Sequence, residues 1–240
     1  MAALPRVLVA SPVTDRIGYK SYCLDEYFKA LKGLTYGNRH TWVLLESSLE
    51  NKKRFLGHAS KSVEITRMPD APNEVERMVA ARNEFRKRAL EGGYDYMLFL
   101  EQDIVPPMDL VERLLAADKE ICSALYFNIK REGNRMLCYD GHNPMAWDAI
   151  HDCAGKSREK SLGFERLFPS ALLRVDGCGL GCVLIGRKVL EKVGFRCVPG
   201  STDFEEFFFA EDCRKHGFEM FVDSSTVCRH HTRRGCEIES

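Results

Sequence analysis

The sequence predicts an α/β protein with a mainly parallel central sheet, and three observations predict it. Short apolar runs such as Arg6-Val7-Leu8-Val9-Ala10, Thr41-Trp42-Val43-Leu44-Leu45 and Met97-Leu98-Phe99-Leu100 lack polar alternation, so they read as strands buried on both faces. Stretches with helical spacing separate them, which is the order that parallel sheets with crossover helices require. At 240 residues the chain can bury a sizeable core, and its length suits one domain better than two.

The elements follow in order. The first strand ends at Ser11-Pro12, and Tyr22 to Leu31 reads as a helix stopped by Gly33. The strand from Thr41 closes at Glu46-Ser47-Ser48, and Val63-Glu64-Ile65-Thr66 is a third. From Glu74 to Leu90 the residues Val75, Met78, Val79, Phe85 and Ala89 mark the buried face of a helix that ends at Gly92-Gly93. Arg82 falls on that face, where it either packs its aliphatic stem and sends its head to water, or reaches an anion near the strand ends. Pro106-Pro107 starts another helix, buried through Leu110, Val111, Leu114 and Leu115, and Ile121 to Phe127 is a strand. Lys130 to Ala171 has weak periodicity and scattered His142, Trp147 and His151, and reads as an irregular, variable substrate segment. Val175 to Ile185 is a strand carrying Gly177, Gly179 and Gly181, with a helix from Arg187 to Lys192 behind it. Its glycines permit close backbone approach or a tight turn, and the pattern is not a dinucleotide fingerprint because it does not open a helix. Ala210-Glu211-Asp212 lies in a short helix capped by Gly217, and strands at Glu219–Asp223 and Thr226–His231 finish the fold.

The most informative stretch is the strand that ends in Glu101-Gln102-Asp103. In extended backbone, residues two apart project to one side, so two carboxylates would meet outside the carboxyl end of a strand, where open α/β sheets bind ligands. Such a pair asks for a shared proton or a divalent cation.

Composition removes several function classes. Thirty-five basic residues balance 35 acidic ones, so no global charge points to nucleic acid or membrane. No apolar run is long enough to span a bilayer, and the first residues do not read as a signal, so a cytoplasmic protein is expected, with peripheral membrane contact left open. The ten cysteines are scattered rather than framed for disulfides and read as small buried hydrophobes. Cys228, His230, His231 and Cys236 do not have the spacing of a common zinc finger.

Taken in order, Ala81-Arg82-Asn83, Phe99-Leu100-Glu101-Gln102-Asp103, the glycine run from Val175, Ala210-Glu211-Asp212 and Cys228-Arg229-His230 resemble the GT-A glycosyltransferases of the family 2 type. The resemblance implies a single Rossmann-like GT-A domain with a nucleotide-binding half (1–127), a variable acceptor-side segment (130–171) and an acceptor and catalytic half (172–240). It also implies transfer of a sugar from a UDP- or GDP-sugar to the hydroxyl of a glycan, lipid-linked or protein acceptor, with inversion. By the same resemblance Asp103, Glu101 and His230 hold Mn²⁺ or Mg²⁺, with His231 as the alternative imidazole. Asp212 is the expected base and Glu211 its helper, while Ser11, Pro12, Glu46, Arg82, Glu101, Gln102, Gly179 and Gly181 contact the donor. Glu101 stands where the family commonly has aspartate. Two other readings compete: a nucleotidyltransferase, against which the missing glycine-rich basic loop after the first strand argues, and a sugar-binding module on a weakened transferase scaffold.

Overall fold

A computed structural model of the chain describes residues 3–14, 23–46, 52–129, 131–132, 135–136, 142–144, 146–151, 157–161, 164–198, 204–233 and 236–237. The amino-terminal half alternates as the pattern predicts: β1 (Val7–Thr14), α1 (Leu24–Gly33), β2 (Arg39–Glu46), α2 (Lys52–Leu56), β3 (Val63–Arg67), α3 (Glu74–Glu91) and β4 (Tyr96–Leu100). The two-residue β5 (Ile104–Val105), α4 (Leu110–Ala116) and β6 (Ile121–Leu125) follow. Next come β7 (Phe127–Ile129), β8 (Arg131–Glu132), β9 (Arg135–Met136), β10 (His142–Pro144), β11 (Ala146–His151), β12 (Ser157–Ser161) and α5 (Phe164–Leu167). The chain closes with β13 (Leu172–Val175), β14 (Gly177–Cys178), β15 (Cys182–Gly186), α6 (Arg187–Lys192), α7 (Glu205–Lys215), β16 (Met220–Val227), β17 (Arg229–Arg233) and β18 (Cys236–Glu237).

Eight strands form the central sheet in the order β13-β16-β6-β15-β4-β1-β2-β3. The pairs β1/β2, β2/β3, β1/β4 and β6/β16 are parallel, and β15 lies antiparallel between β4 and β6. Hence β1, β2, β3, β4, β6 and β16 all run one way, and their carboxyl ends gather Thr14, Glu46, Glu101, Tyr126 and Cys228 along one rim. That rim is where this topology places a ligand site.

Alternation along β4 divides two apolar cores. Met97 and Phe99 join Phe85, Val189 and Phe209, while Leu98 and Leu100 join Phe28, Leu31 and Leu110. Because both faces are covered, β4 is apolar at nearly every position and shows no period of two in the sequence. A proline inside central β1 is tolerated for a local reason. β4 pairs with β1 only as far as Ala10, so no strand on that side needs the N–H that Pro12 lacks.

The helix α3 starts where the pattern places it. Asn73 caps it, its side chain accepting from the Glu76 N–H at 2.9 Å while its amide donates to the Glu76 carboxylate at 2.8 Å. At the other end Gly93 has φ +66°, which frees the chain to turn into β4. The expected irregular segment 130–171 differs from expectation. It carries antiparallel pairs, β11 with β12 and β14 and β10 with β7. β11 reads AWDAIH and β12 reads SREKS, so pairing there is not written as an apolar period. The side chains of His142, Trp147 and His151 lie outside the described residues.

Candidate functional site

The strand end that carries Glu101 does not continue as extended backbone. The Ile104 N–H donates to the Glu101 carbonyl at 3.0 Å, closing a turn immediately after β4. Glu101 and Asp103 therefore take different partners instead of sharing one cation. A Glu101 oxygen accepts from Arg82 at 2.7 Å, whereas Asp103 meets the His230 Nε2 at 2.9 Å.

Arg82 is almost wholly buried and answers the question that its sequence position raised. Its Nε donates to Glu205 at 2.9 Å, a second nitrogen reaches the Leu180 carbonyl at 3.4 Å, and its guanidinium lies 4.7 Å over the Phe99 ring. Burial disfavours the charge, but Glu205 and Glu101 outweigh it and hold Arg82 ionised. Glu205 was invisible as a site residue in the sequence, as was its neighbour Glu206. Burial first, and then the Glu205 and Glu101 charges, push the Glu206 carboxyl up to about 8. Both sit in the first turn of α7, and an acidic pair there is a legible signal that the run of three phenylalanines behind it obscures.

These groups line one cleft of about 440 Å³ at the sheet rim. Pro12, Thr14 and Glu46 form one wall, Arg77 and Arg82 another, and Glu101, Gln102, Phe204, Glu205 and Glu206 the rest. Glu46 is paired with Arg77 at 3.0 Å and accepts from the Thr14 hydroxyl at 3.2 Å. The Gln102 Oε1 accepts from the Thr14 backbone N–H at 2.6 Å, which fixes the amide orientation. Ser11 is buried and turned away from these groups, donating to the Tyr27 hydroxyl, which donates to the Leu100 carbonyl at 2.8 Å. Gly179 is buried in the turn between β14 and β15. At Gly181 a Cβ would come within 2.8 Å of the Tyr126 hydroxyl and 3.4 Å of Glu101, so this close approach needs a glycine. The backbone on either side uses that closeness: Gly181 N–H donates to the Tyr126 hydroxyl at 2.9 Å, and Glu101 N–H to the Gly181 carbonyl at 2.9 Å.

His230 is held by the Phe127 carbonyl, 2.7 Å from its Nδ1. A carbonyl only accepts, so Nδ1 carries a hydrogen and the neutral ring presents a lone pair at Nε2 to the Asp103 carboxylate. Two lone-pair bearers 2.9 Å apart require a proton or a cation between them. The donor types suit Mn²⁺ or Mg²⁺. Among the described residues, however, no three His, Cys, Asp or Glu side chains converge as a metal centre, and Glu101 is paired with Arg82. The other histidine, His231, pairs with Glu26 at 2.9 Å, and the Cys228 sulfur lies 3.7 Å from that of Cys182, so Cys228, His230 and His231 each take a different partner; the side chain of Cys236 lies outside the described residues.

Helix α1 fastens these pieces together. Cys23 donates to the Gln102 carbonyl at 3.2 Å, Tyr27 holds the Leu100 carbonyl, and Glu26 pairs with both Arg229 and His231, the neighbours of His230.

Asp212 and Glu211 stand elsewhere. Arg196 grips Asp212 through two nitrogens at 2.6 and 3.0 Å and touches Glu211 at 3.2 Å, and Lys215 reaches Glu211 at 2.9 Å. The hydrogen bond from Arg196 holds the Asp212 carboxyl below its ordinary value, and Lys215 does the same for Glu211. Neither residue lines the cleft.

No protein-family model matches the chain, and no curated protein matches its sequence. Among solved structures it is similar to GalNAc-T7, crystallised with UDP, GalNAc and Mn²⁺, at a TM-score of 0.62 and 14% identity over 95% of this chain. The match covers 44% of the GalNAc-T7 chain, so the present chain spans less than half of that protein's length. A197 from STIV aligns at 18% identity over 94% of this chain and 85% of its own, with a TM-score of 0.48. Among the described residues no helix is long and apolar enough to cross a membrane. The architecture is thus a GT-A-like α/β fold, with a likeness to a glycosyltransferase at the level of the fold.

Proposed function

We propose that the chain transfers a sugar from a nucleotide-sugar donor to an acceptor hydroxyl. One observation carries the reading: a single cleft at the carboxyl rim gathers Thr14, Glu46, Arg82, Glu101 and Gln102 with the acidic first turn of α7, on a fold similar to that of a glycosyltransferase. In this reading Pro12, Thr14 and Glu46 hold the nucleoside, and Arg82 fixes Glu101 and Glu205 at the reacting end.

Glu206, rather than Asp212, takes the proton from the attacking hydroxyl. It lines the cleft, and a carboxyl titrating near 8 is a stronger base, once ionised, than one held low by Arg196. Glu205, locked to Arg82, keeps the helix start in place. Asp103, the neighbour of the cleft residue Gln102, and His230, neither of them lining the cleft, would hold a divalent cation, which when bound would supply positive charge against the departing diphosphate. The tie from the Phe127 carbonyl orients the imidazole whether or not the ion is present.

The test is a calorimetric titration of UDP-sugars and GDP-sugars into the protein with Mn²⁺ or with chelator, repeated on Asp103→Asn. Metal-dependent binding that this substitution weakens supports the reading. Equal binding with chelator present removes the metal assignment, and no binding of any nucleotide-sugar under either condition removes the function.

A further inference from the structure

Leu180 and Gly181, in the turn between β14 and β15, spend their backbone groups on the residues around the cleft. The Leu180 carbonyl accepts from Arg82 at 3.4 Å, and the Leu180 N–H favours the ionised form of Glu206. The Gly181 carbonyl accepts from the Glu101 N–H at 2.9 Å. Arg82, Glu101 and Glu206 all line the cleft. The remaining group, the Gly181 N–H, is answered from behind by the Tyr126 hydroxyl at 2.9 Å.

Tyr126 follows β6 and is 4% exposed, so protein contacts rather than solvent set its place. A Cβ at Gly181 would come within 2.8 Å of its hydroxyl, and the fit between phenol and glycine therefore leaves no slack. Burial first, and then the charges of Glu101 and Glu206, push the phenol well above its ordinary value, which keeps it a neutral acceptor for the buried N–H. The same side chain also meets the imidazole. Its ring stands edge-on to His230, with 5.5 Å between centroids and 85° between planes. The neighbours of Tyr126 hold the same segment: the Leu125 carbonyl accepts from the Cys228 N–H at 2.8 Å, and the Phe127 carbonyl lies 2.7 Å from the His230 Nδ1. Tyr126 thus touches both the turn that carries the cleft residues and the imidazole that meets Asp103.

Resting on the transferase reading above, we propose that Tyr126 is a positioning residue, its hydroxyl setting the turn that carries Arg82, Glu101 and Glu206 while its ring sets the His230 imidazole. Removing the hydroxyl strands a buried N–H, and the turn must move to relieve it. That shift passes to Arg82, Glu101 and Glu206 through the contacts just named, so it falls on turnover. Removing the ring frees one side of the imidazole, so it falls on the cation.

Rates of sugar transfer, calorimetric titration of Mn²⁺ and amide hydrogen exchange on the intact chain test this with Tyr126→Phe, Tyr126→Leu and Gly181→Ala. Tyr126→Phe keeps the ring and should lower kcat on the order of tenfold, while KM for the nucleotide-sugar and the affinity for Mn²⁺ stay within about twofold. Gly181→Ala, whose methyl displaces the hydroxyl, should do the same. Tyr126→Leu should in addition weaken Mn²⁺ binding about tenfold, the scale on which the supports of a metal ligand act. Exchange at the Gly181 and Glu101 amides should quicken in Tyr126→Phe while circular dichroism stays native, a readout that needs no substrate. Unchanged exchange at those amides overturns the proposal, as does Mn²⁺ binding that Tyr126→Leu leaves intact. Equal losses in kcat and KM in Tyr126→Phe also overturn it, because a merely structural role moves both. If the wild type transfers sugar and Tyr126→Phe matches it, this assignment alone falls; a wild type that binds no nucleotide-sugar removes the transferase reading beneath it.

Discussion

The two acidic pairs of α7 lie on one helix, about two turns apart, and their surroundings drive them in opposite directions. Glu205 at its start shares one buried guanidinium with Glu101, and burial together with those two carboxylates pushes the neighbouring Glu206 up to about 8. Glu211 and Asp212 near its end meet both Arg196 and Lys215, and their carboxyls are held low. The helix dipole cannot explain this, since a helix start favours ionised acids and would lower the first pair. Local counting of partners and burial decides the protonation of each pair.

Variants at the two ends should break or sharpen this contrast, beginning with the largest effect. Glu206→Gln is expected to cost roughly two to four orders of magnitude in transfer rate with donor binding kept, while Asp212→Asn stays within about twofold. Initial rates with a bound nucleotide-sugar decide it, and the reverse ranking would return the base role to Asp212. Arg82→Met strands the carboxylates of Glu101 and Glu205, and should destabilise the fold by about 3–5 kcal/mol, read as a drop of roughly 10 °C in melting temperature. A drop of a degree or two would mean that the buried acids simply protonate without it.

The pH dependence has opposite signs at the two ends. Glu206 binds a proton in the folded chain up to about 8 but releases it near 4.5 when unfolded, so its contribution falls as pH rises between those values. Urea unfolding should therefore show Glu206→Gln gaining stability relative to wild type from pH 5 to pH 9. Asp212, with a lowered folded value, contributes above its unfolded value of 3.8 and loses that contribution as pH falls through the folded one. Asp212→Asn should accordingly approach wild type in acid. Smallest of all, Arg196→Ala should cost under about 1 kcal/mol by denaturant titration, because its side chain is 39% exposed and its ion pairs are screened.

Much of this architecture is legible in the residues themselves. The buried runs of β1, β2 and β4, the start and closing glycines of α3, and the place of Arg82 on its buried face all follow from spacing, since one physical cause dominates each. The site is less legible because its geometry depends on contacts far apart in the chain. Glu101 and Asp103 read as a pair on extended backbone, yet a turn closed by Ile104 separates them. Glu205 acquires meaning only from Arg82, 123 residues earlier. Asp212 answers to a sequence pattern, but no pattern records that Arg196 is waiting for it. β11 and β12 escape detection for a related reason: they pair with each other along sequences that carry no apolar alternation.

The ties made by α1 have a consequence for motion. Cys23, Glu26 and Tyr27 hold the Gln102 carbonyl, the strand of His230 and the Leu100 carbonyl, so that one surface helix spans both the Gln102 side of the cleft and the imidazole. When α1 detaches, all three attachments are lost in a single event. In amide hydrogen exchange the backbone from Leu100 to Ile104 and the start of β17 should open as one cooperative unit, with the opening free energy of α1. The cleft then has the lifetime of a helix–sheet contact, and loosening that helix at a distance sets how long the site stays assembled.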